Sequence, residues 1–129
     1  IIITFILYTV DSPIKRELLE PNEYIVDDIY RNMRYATNNL ISWKQSNDQN
    51  YFVIINTSFQ NIQISSEQSN YLLYVEGNCN ISHSNFISCS ALKSLIYCEG
   101  HFFNLLETKF TNNQRSNVNS NSDQTTVTV

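Results

Sequence analysis

Glycine and proline are nearly missing from this chain of 129 residues, at two each. Hairpins with Gly-based turns need more than that, so a meander of such hairpins is disfavoured. Charge is also sparse, at 16% of residues, where a soluble domain usually carries about a quarter. The eight Lys and Arg are scattered and form no basic stripe, and the net charge is −4. Nucleic acid is therefore not expected as a partner. The uncharged run "IIITFILYTV" at residues 1–10 is short; a helix needs about 20 apolar residues to span a bilayer. The chain carries no His-x-His, Cys-x-x-Cys, P-loop, dinucleotide fingerprint or nucleophile elbow.

What remains is 42% hydrophobic residues, enough for a core, and an abundance of Asn and Ser. Both residue types hydrogen-bond their own backbone in turns, and Asn tolerates left-handed conformations. Asn is thus expected to make the corners. Length suits one domain or part of one.

Four stretches differ in texture. Residues 1–10 are apolar and read either as the remnant of a signal peptide or membrane anchor, or as a β-rich first strand. Residues 11–50 hold most of the charges and read as a cap. Residues 51–113 are short apolar runs broken by Asn and Ser. Residues 114–129 are polar and repetitive, and read as a linker or a truncated repeat. In the cap, Ile25, Ile29 and Met33 fall at spacing four beside Val26 and Tyr30. That stripe predicts a helix, with Asn22 as its cap and Asp27–Arg31 as an i, i+4 ion pair. The rival reading is a strand at Tyr24–Val26 and another near Ile29–Tyr30. "RELLE" before Pro21 reads as a further helical turn.

Residues 51–113 repeat. Phe59, Phe86 and Phe110 are separated by 27 and 24 residues. Five residues before each Phe stands Ile54, Ile81 or Leu105. Two earlier stands Phe52, Cys79 or Phe103. Leu72–Gly77 (LLYVEG) matches Leu95–Gly100 (LIYCEG) at an offset of 23. Runs this short cannot form a sheet alone. Equivalent runs stacked about 4.8 Å apart can, with like side chains in ladders. Periods of 20–50 residues indicate solenoids or arrays. No Leu/Asn consensus supports a leucine-rich repeat, and "SLIYCEG" is too short and too β-branched for a helical repeat. The expected fold is mainly β: a parallel β-solenoid fragment with a short N-terminal helical or mixed cap.

"NISHSNFISC" (Asn80–Cys89) and "NLLETKFTNN" (Asn104–Asn113) carry a strand-and-corner text, Asn-Ile/Leu-x-x-Ser/Thr-x-Phe, and "VIINTSFQNI" (Val53–Ile62) carries it in part. In this the chain resembles right-handed parallel β-helix proteins of the pectin-lyase-like kind, in particular Asn/Ser-rich surface or secreted repeat proteins of microbes. The resemblance implies an N-terminal piece of a longer solenoid whose partners include further coils of the same parent chain.

Chemistry is thin. His83 and His101 fall at non-equivalent positions, and the spacings of Cys79, His83, Cys89 and Cys98 fit no zinc knuckle. Cys79 and Cys98 read as small core residues, and an odd cysteine count leaves a thiol unpaired. Pectin-acting β-helix enzymes use clustered Asp, Lys or Arg, yet residues 51–113 contain no Asp. Glu76 and Glu99 would stack as neighbours, either as a carboxylate pair or as solvated residues before Gly77 and Gly100. Asn56 and Asn80 begin N-glycosylation sequons. Trp43 and the eight tyrosines supply either a binding face for glycan or protein, or core packing.

No catalytic, cofactor or metal residues are assigned. The expected role is a non-enzymatic structural or adhesive segment, extracellular or at the cell surface, with any membrane tie through an anchor outside or at the N-terminus. Two alternatives stand beside it. One is part of a carbohydrate-active β-helix enzyme whose catalytic residues lie elsewhere. The other is an α+β interaction module.

Overall fold

The structure is a computed structural model and describes residues 16–35, 39–45, 49–64, 71–100, 102–115 and 127–128. Among these, every regular element is a strand. In chain order they begin with β1 (Arg16–Leu18), β2 (Glu23–Val26), β3 (Ile29–Tyr35), β4 (Ile41–Lys44) and β5 (Tyr51–Ile55). There follow β6 (Ser58–Ile64), β7 (Tyr71–Glu76), β8 (Asn78–Ser82), β9 (Asn85–Ile87) and β10 (Ser90–Ala91). The last are β11 (Ser94–Glu99), β12 (Phe103–Leu106), β13 (Lys109–Thr111), β14 (Gln114–Arg115) and β15 (Val127–Thr128).

Three sheets contain them. The first runs β1-β4-β7-β11-β15, and the second β2-β5-β8-β12. The third runs β13-β9-β6-β10-β14, with β3 also on β6. Every pairing is parallel. Parallel neighbours cannot be joined by a tight hairpin. The chain meets this by visiting the first, second and third sheets in turn, again and again. The fold is therefore mainly β, with parallel sheets.

Register makes the ladders. Ile25, Ile54, Ile81 and Leu105 are successive partners. Tyr30, Phe59, Phe86 and Phe110 form another set. Their rings stack at centroid distances of 5.2, 4.6 and 5.0 Å, nearly parallel. Ile41, Leu73 and Ile96 make a third ladder, and Trp43, Val75 and Cys98 a fourth. Phe52, Phe59, Ile54, Ile81 and Phe86 are fully buried. Each such side chain stabilises by roughly 1.5–3 kcal/mol.

Two corners repeat with the strands. Asp27, Asn56, His83 and Glu107 follow β2, β5, β8 and β12, all with φ between 46° and 54°. Asn32, Asn61, Ser88 and Asn112 form the second set, with φ of 52° to 55°. Asn and Asp are the residues that enter this region most readily, so asparagine takes the place glycine would have. The amides also bridge rungs: Asn61 Nδ2–H donates to Asn32 Oδ1 (2.9 Å) and Asn56 Nδ2–H to Asp27 Oδ1 (2.7 Å).

Behind the first corner lies a row of hydroxyls. Thr57 Oγ1–H donates to the Ile55 carbonyl, Ser84 Oγ–H to Ser82 and Thr108 Oγ1–H to Leu106. This is the Ser/Thr two residues before each Phe. Each of these carbonyls also accepts the backbone N–H of a corner residue on the neighbouring rung (Asp27, Asn56 and His83), so the hydroxyl fills its second lone pair.

The expected helix is not formed. β2 and β3 occupy that stretch, with Ile25 buried and Ile29 half exposed, on opposite sides of the Asp27 corner. A helix would have put both on one face. The spacing of four does not mark one face: the inward residues across the bend are Ile25 and Tyr30, five apart, and parallel pairing with β5 and β6 overrides local helix preference. Arg16–Leu18 is likewise strand β1, paired with β4, not a helical turn. Residues 1–10, His101 and residues 116–126 of the polar tail lie outside the described residues.

Candidate functional site

β7 and β11 turn Leu73 and Val75, and Ile96 and Cys98, inward. Alternation therefore sends Tyr74, Glu76, Tyr97 and Glu99 outward. Register sets Tyr97 beside Tyr74 and Glu99 beside Glu76. β4 adds Ser42 and Lys44 at the same two positions one rung earlier.

The result is an aromatic and acidic strip. Tyr74 and Tyr97 stack at 5.1 Å with 7° between planes. Tyr71 leans on both, at 5.9 Å from Tyr74 and 4.8 Å from Tyr97. The Tyr74 hydroxyl donates to Glu76 Oε1, and the Tyr97 hydroxyl donates to Glu99 Oε2 at 2.9 Å. Lys44 Nζ lies 5.3 Å from the Tyr74 ring centre and 3.8 Å from Glu76 Oε1.

These bonds set the protonation. Burial, then the bond to Glu76, pushes the Tyr74 phenol well above its ordinary range. The bond to Glu99 and partial desolvation push Tyr97 up as well. Both phenols stay neutral donors, and each carboxylate is oriented by its own tyrosine. Glu76 and Glu99 are register neighbours, as the repeat implied. They close β7 and β11 facing outward, each tied to a phenol two residues earlier. The strip thus offers π faces and carboxylate oxygens to a ligand.

The tyrosine half of this site belongs to a motif that the sequence carries twice but that repeat alignment alone does not single out. Tyr74-Val75-Glu76 and Tyr97-Cys98-Glu99 are both Tyr-x-Glu. Residues i and i+2 of a strand share a face, so this spacing was the available signal. Trp43 is not part of any binding face: it is fully buried, and its Nε1–H donates to the Glu20 carbonyl at 3.0 Å. Tyr30 is core, whereas Tyr24 is 64% exposed on β2.

The two sequon asparagines differ. Asn56 stands exposed at a left-handed corner. Asn80 is half buried within β8, where its Oδ1 accepts from Asn104 Nδ2–H at 3.1 Å. Cys79, Cys89 and Cys98 are free and buried. His83 points elsewhere, pairing with Glu107 at 2.7 Å on the exposed corner. Among the described residues, no three His, Cys, Asp or Glu side chains gather as a metal-binding group. A shallow cavity of about 240 Å³ lies at the first corner, between Asp27, Asp28, Asn56 and Asn85.

No protein-family model, no curated protein and no solved structure matches the chain.

Proposed function

We propose that this chain is a segment of a right-handed parallel β-helix, similar to the pectin-lyase-like kind, and serves as a non-enzymatic structural and adhesive element outside the cell or on its surface. The observation that carries the solenoid reading is the strict rotation through three sheets with in-register ladders. Crossovers between parallel strands are right-handed in about 98% of cases, which supports the hand. Stacking of Phe86 on Phe110 favours this reading over an α+β module.

The adhesive reading rests on the outward strip of Tyr71, Tyr74, Tyr97, Glu76 and Glu99. Tyrosine brings large contact area at low entropic cost, and a parallel ladder repeats the same groups at fixed spacing. Further coils of a parent chain would lengthen that surface.

Two measurements test it. Antibody against the chain should label intact cells that make it as strongly as permeabilised ones; labelling only after permeabilisation overturns the surface assignment. Incubation of the full-length parent with acidic polysaccharides should leave their chain length unchanged. Depolymerisation by the parent would overturn the non-enzymatic reading in favour of a carbohydrate-active enzyme.

A further inference from the structure

We propose that Cys79 and Cys98 are a disulfide site: in an oxidising compartment they close into a bridge between successive rungs, and Cys89 stays a free thiol. The bridge follows from the register of the inner ladders and does not depend on what the outer strip binds.

Both residues interrupt ladders of larger side chains. Cys79 lies between Phe52 and Phe103 on the second sheet, and Cys98 follows Trp43 and Val75 on the first. Both turn into the core and are fully buried. Their ladders meet at the Gly77 corner. Val75 and Cys79 flank that corner on one rung, and Cys98 stacks on Val75 one rung later. Cys98 therefore stands diagonally from Cys79 across the bend, where β8 touches β11. Cys98 Sγ–H donates to the Gly77 carbonyl at 3.4 Å, two residues from Cys79. Cys79 Sγ–H donates in turn to Cys98 Sγ. Two thiols in hydrogen-bond contact have side chains directed at each other, as a disulfide requires.

Cys89 has other partners. It follows β9 on the third sheet, and its Sγ–H is directed at the carbonyls of Phe59 (3.3 Å) and Ile87 (3.4 Å). The three cysteines thus divide into a pair and a single.

Closure is a two-electron oxidation, and a small disulfide such as oxidised glutathione is the oxidant. One cysteine thiolate attacks a glutathione sulfur and expels the other glutathione as a thiolate. The second cysteine thiolate then attacks the protein sulfur of the mixed disulfide and expels the remaining glutathione. The net change is one S–S bond made in the protein, one broken in the oxidant, and both protons carried off by two glutathione thiols. Burial keeps this oxidant from the finished core, so the exchange belongs to folding; the same burial then shields the bridge from reductants. Disulfides persist in oxidising compartments, which accords with a place outside the cell.

The test maps the thiols of the whole chain. The chain is unfolded in urea, refolded by dilution into reduced and oxidised glutathione, followed by circular dichroism, and unfolded again with N-ethylmaleimide. The same map is read on the chain secreted by an expression host, where no refolding step is needed. A single maleimide is expected, on Cys89, together with a peptide joining Cys79 to Cys98. Cleavage after Phe86 and Lys93 separates the three cysteines, so the link identifies its partners. Cys89→Ala should form the same link, and Cys98→Ser should form none. The urea midpoint of the oxidised chain should exceed that of the chain reduced with a phosphine, because the bridge restricts the unfolded state. Maleimide on all three thiols of the folded chain, a link through Cys89, or a bridge that lowers the midpoint each overturns the proposal. Surface labelling is read separately, so such a failure leaves the adhesive reading in place.

Discussion

The ring of Trp43 stands where a side chain on Gly77 would begin: a Cβ there would lie 2.4 Å from Trp43 Cζ3. Gly77 also has φ of +150°, a conformation side chains rarely adopt. Trp43 cannot swing away freely, because it is fully buried and its indole N–H is bound to the Glu20 carbonyl. Gly77→Ala should therefore destabilise by about 1–3 kcal/mol through overpacking, read from the urea midpoint. In a Trp43→Leu background the added penalty should shrink. An equal penalty in both backgrounds would assign the whole cost to the backbone.

The aromatic ladder has a centre and an end. Phe86 lies fully buried between Phe59 and Phe110, whereas Phe110 is half buried beyond it. Phe86→Ala should cost about 3–5 kcal/mol, with Phe110→Ala clearly less. Phe86→Asp should cost more than Phe86→Ala, because it leaves an unpaired charge in the core. Equal losses at positions 86 and 110 would show that the ladder does not transmit burial as its geometry implies.

The parts of this fold that were legible in the sequence are those where stacked positions kept the same letter. Phe59, Phe86 and Phe110 announce their ladder, and the two Leu-x-Tyr-x-Glu-Gly-like runs announce β7 and β11. The earlier rung was hidden because Tyr30 replaces Phe and Asp28 replaces the corner Ser or Thr. Ile25, Ile29 and Met33 fell at helical spacing by coincidence, although Ile29, across a left-handed corner from Ile25, faces outward. Corners were legible as Asn, but His83, Ser88 and Glu107 hold the same φ and carry no such signal. The candidate site was half legible. Glu76 and Glu99 could be aligned, while the tyrosines that orient them required knowing which face points outward.

Buried hydroxyls should matter more than exposed ones of the same motif. The Thr57 N–H donates to Ser84 Oγ at 3.1 Å, and both residues are 1% exposed. Ser84→Ala strands that amide and should cost about 1–3 kcal/mol. Ser84→Thr, which keeps the oxygen, should recover part of it. Thr108→Ala at the equivalent outer position should change the urea midpoint little. A Ser84→Ala variant as stable as the parent would mean that water replaces the lost acceptor.

The thiols offer a pH-dependent readout. Burial pushes Cys89 up to about 11. Its alkylation by iodoacetamide in the native protein, followed by peptide mass mapping, should keep rising with pH to about 11. An ordinary thiol levels off after about 8.5. In urea the Cys89 curve should revert to the ordinary one. A native curve that levels off near 8.5–9 would remove burial as the controlling factor.

Tyr74 ties the strip to stability at alkaline pH. Its phenol is raised in the folded state by burial first, then by the bond and charge of Glu76. The folded protein thus holds this proton more tightly than the unfolded chain, whose tyrosines ionise near pH 10. The corresponding stabilisation is complete below about pH 10 and is lost as pH rises from there through the folded-state value. Tyr74→Phe has no phenol proton to release, so its stability should decline less steeply above pH 10 than the parent's. Urea midpoints at successive alkaline pH values measure this, alongside the tyrosinate absorbance band. In the parent, Tyr74 and Tyr97 should both ionise late, and the late component should shrink in the variant, where only Tyr97 remains. Identical slopes in the two proteins would show that the Tyr74–Glu76 bond does not persist in solution.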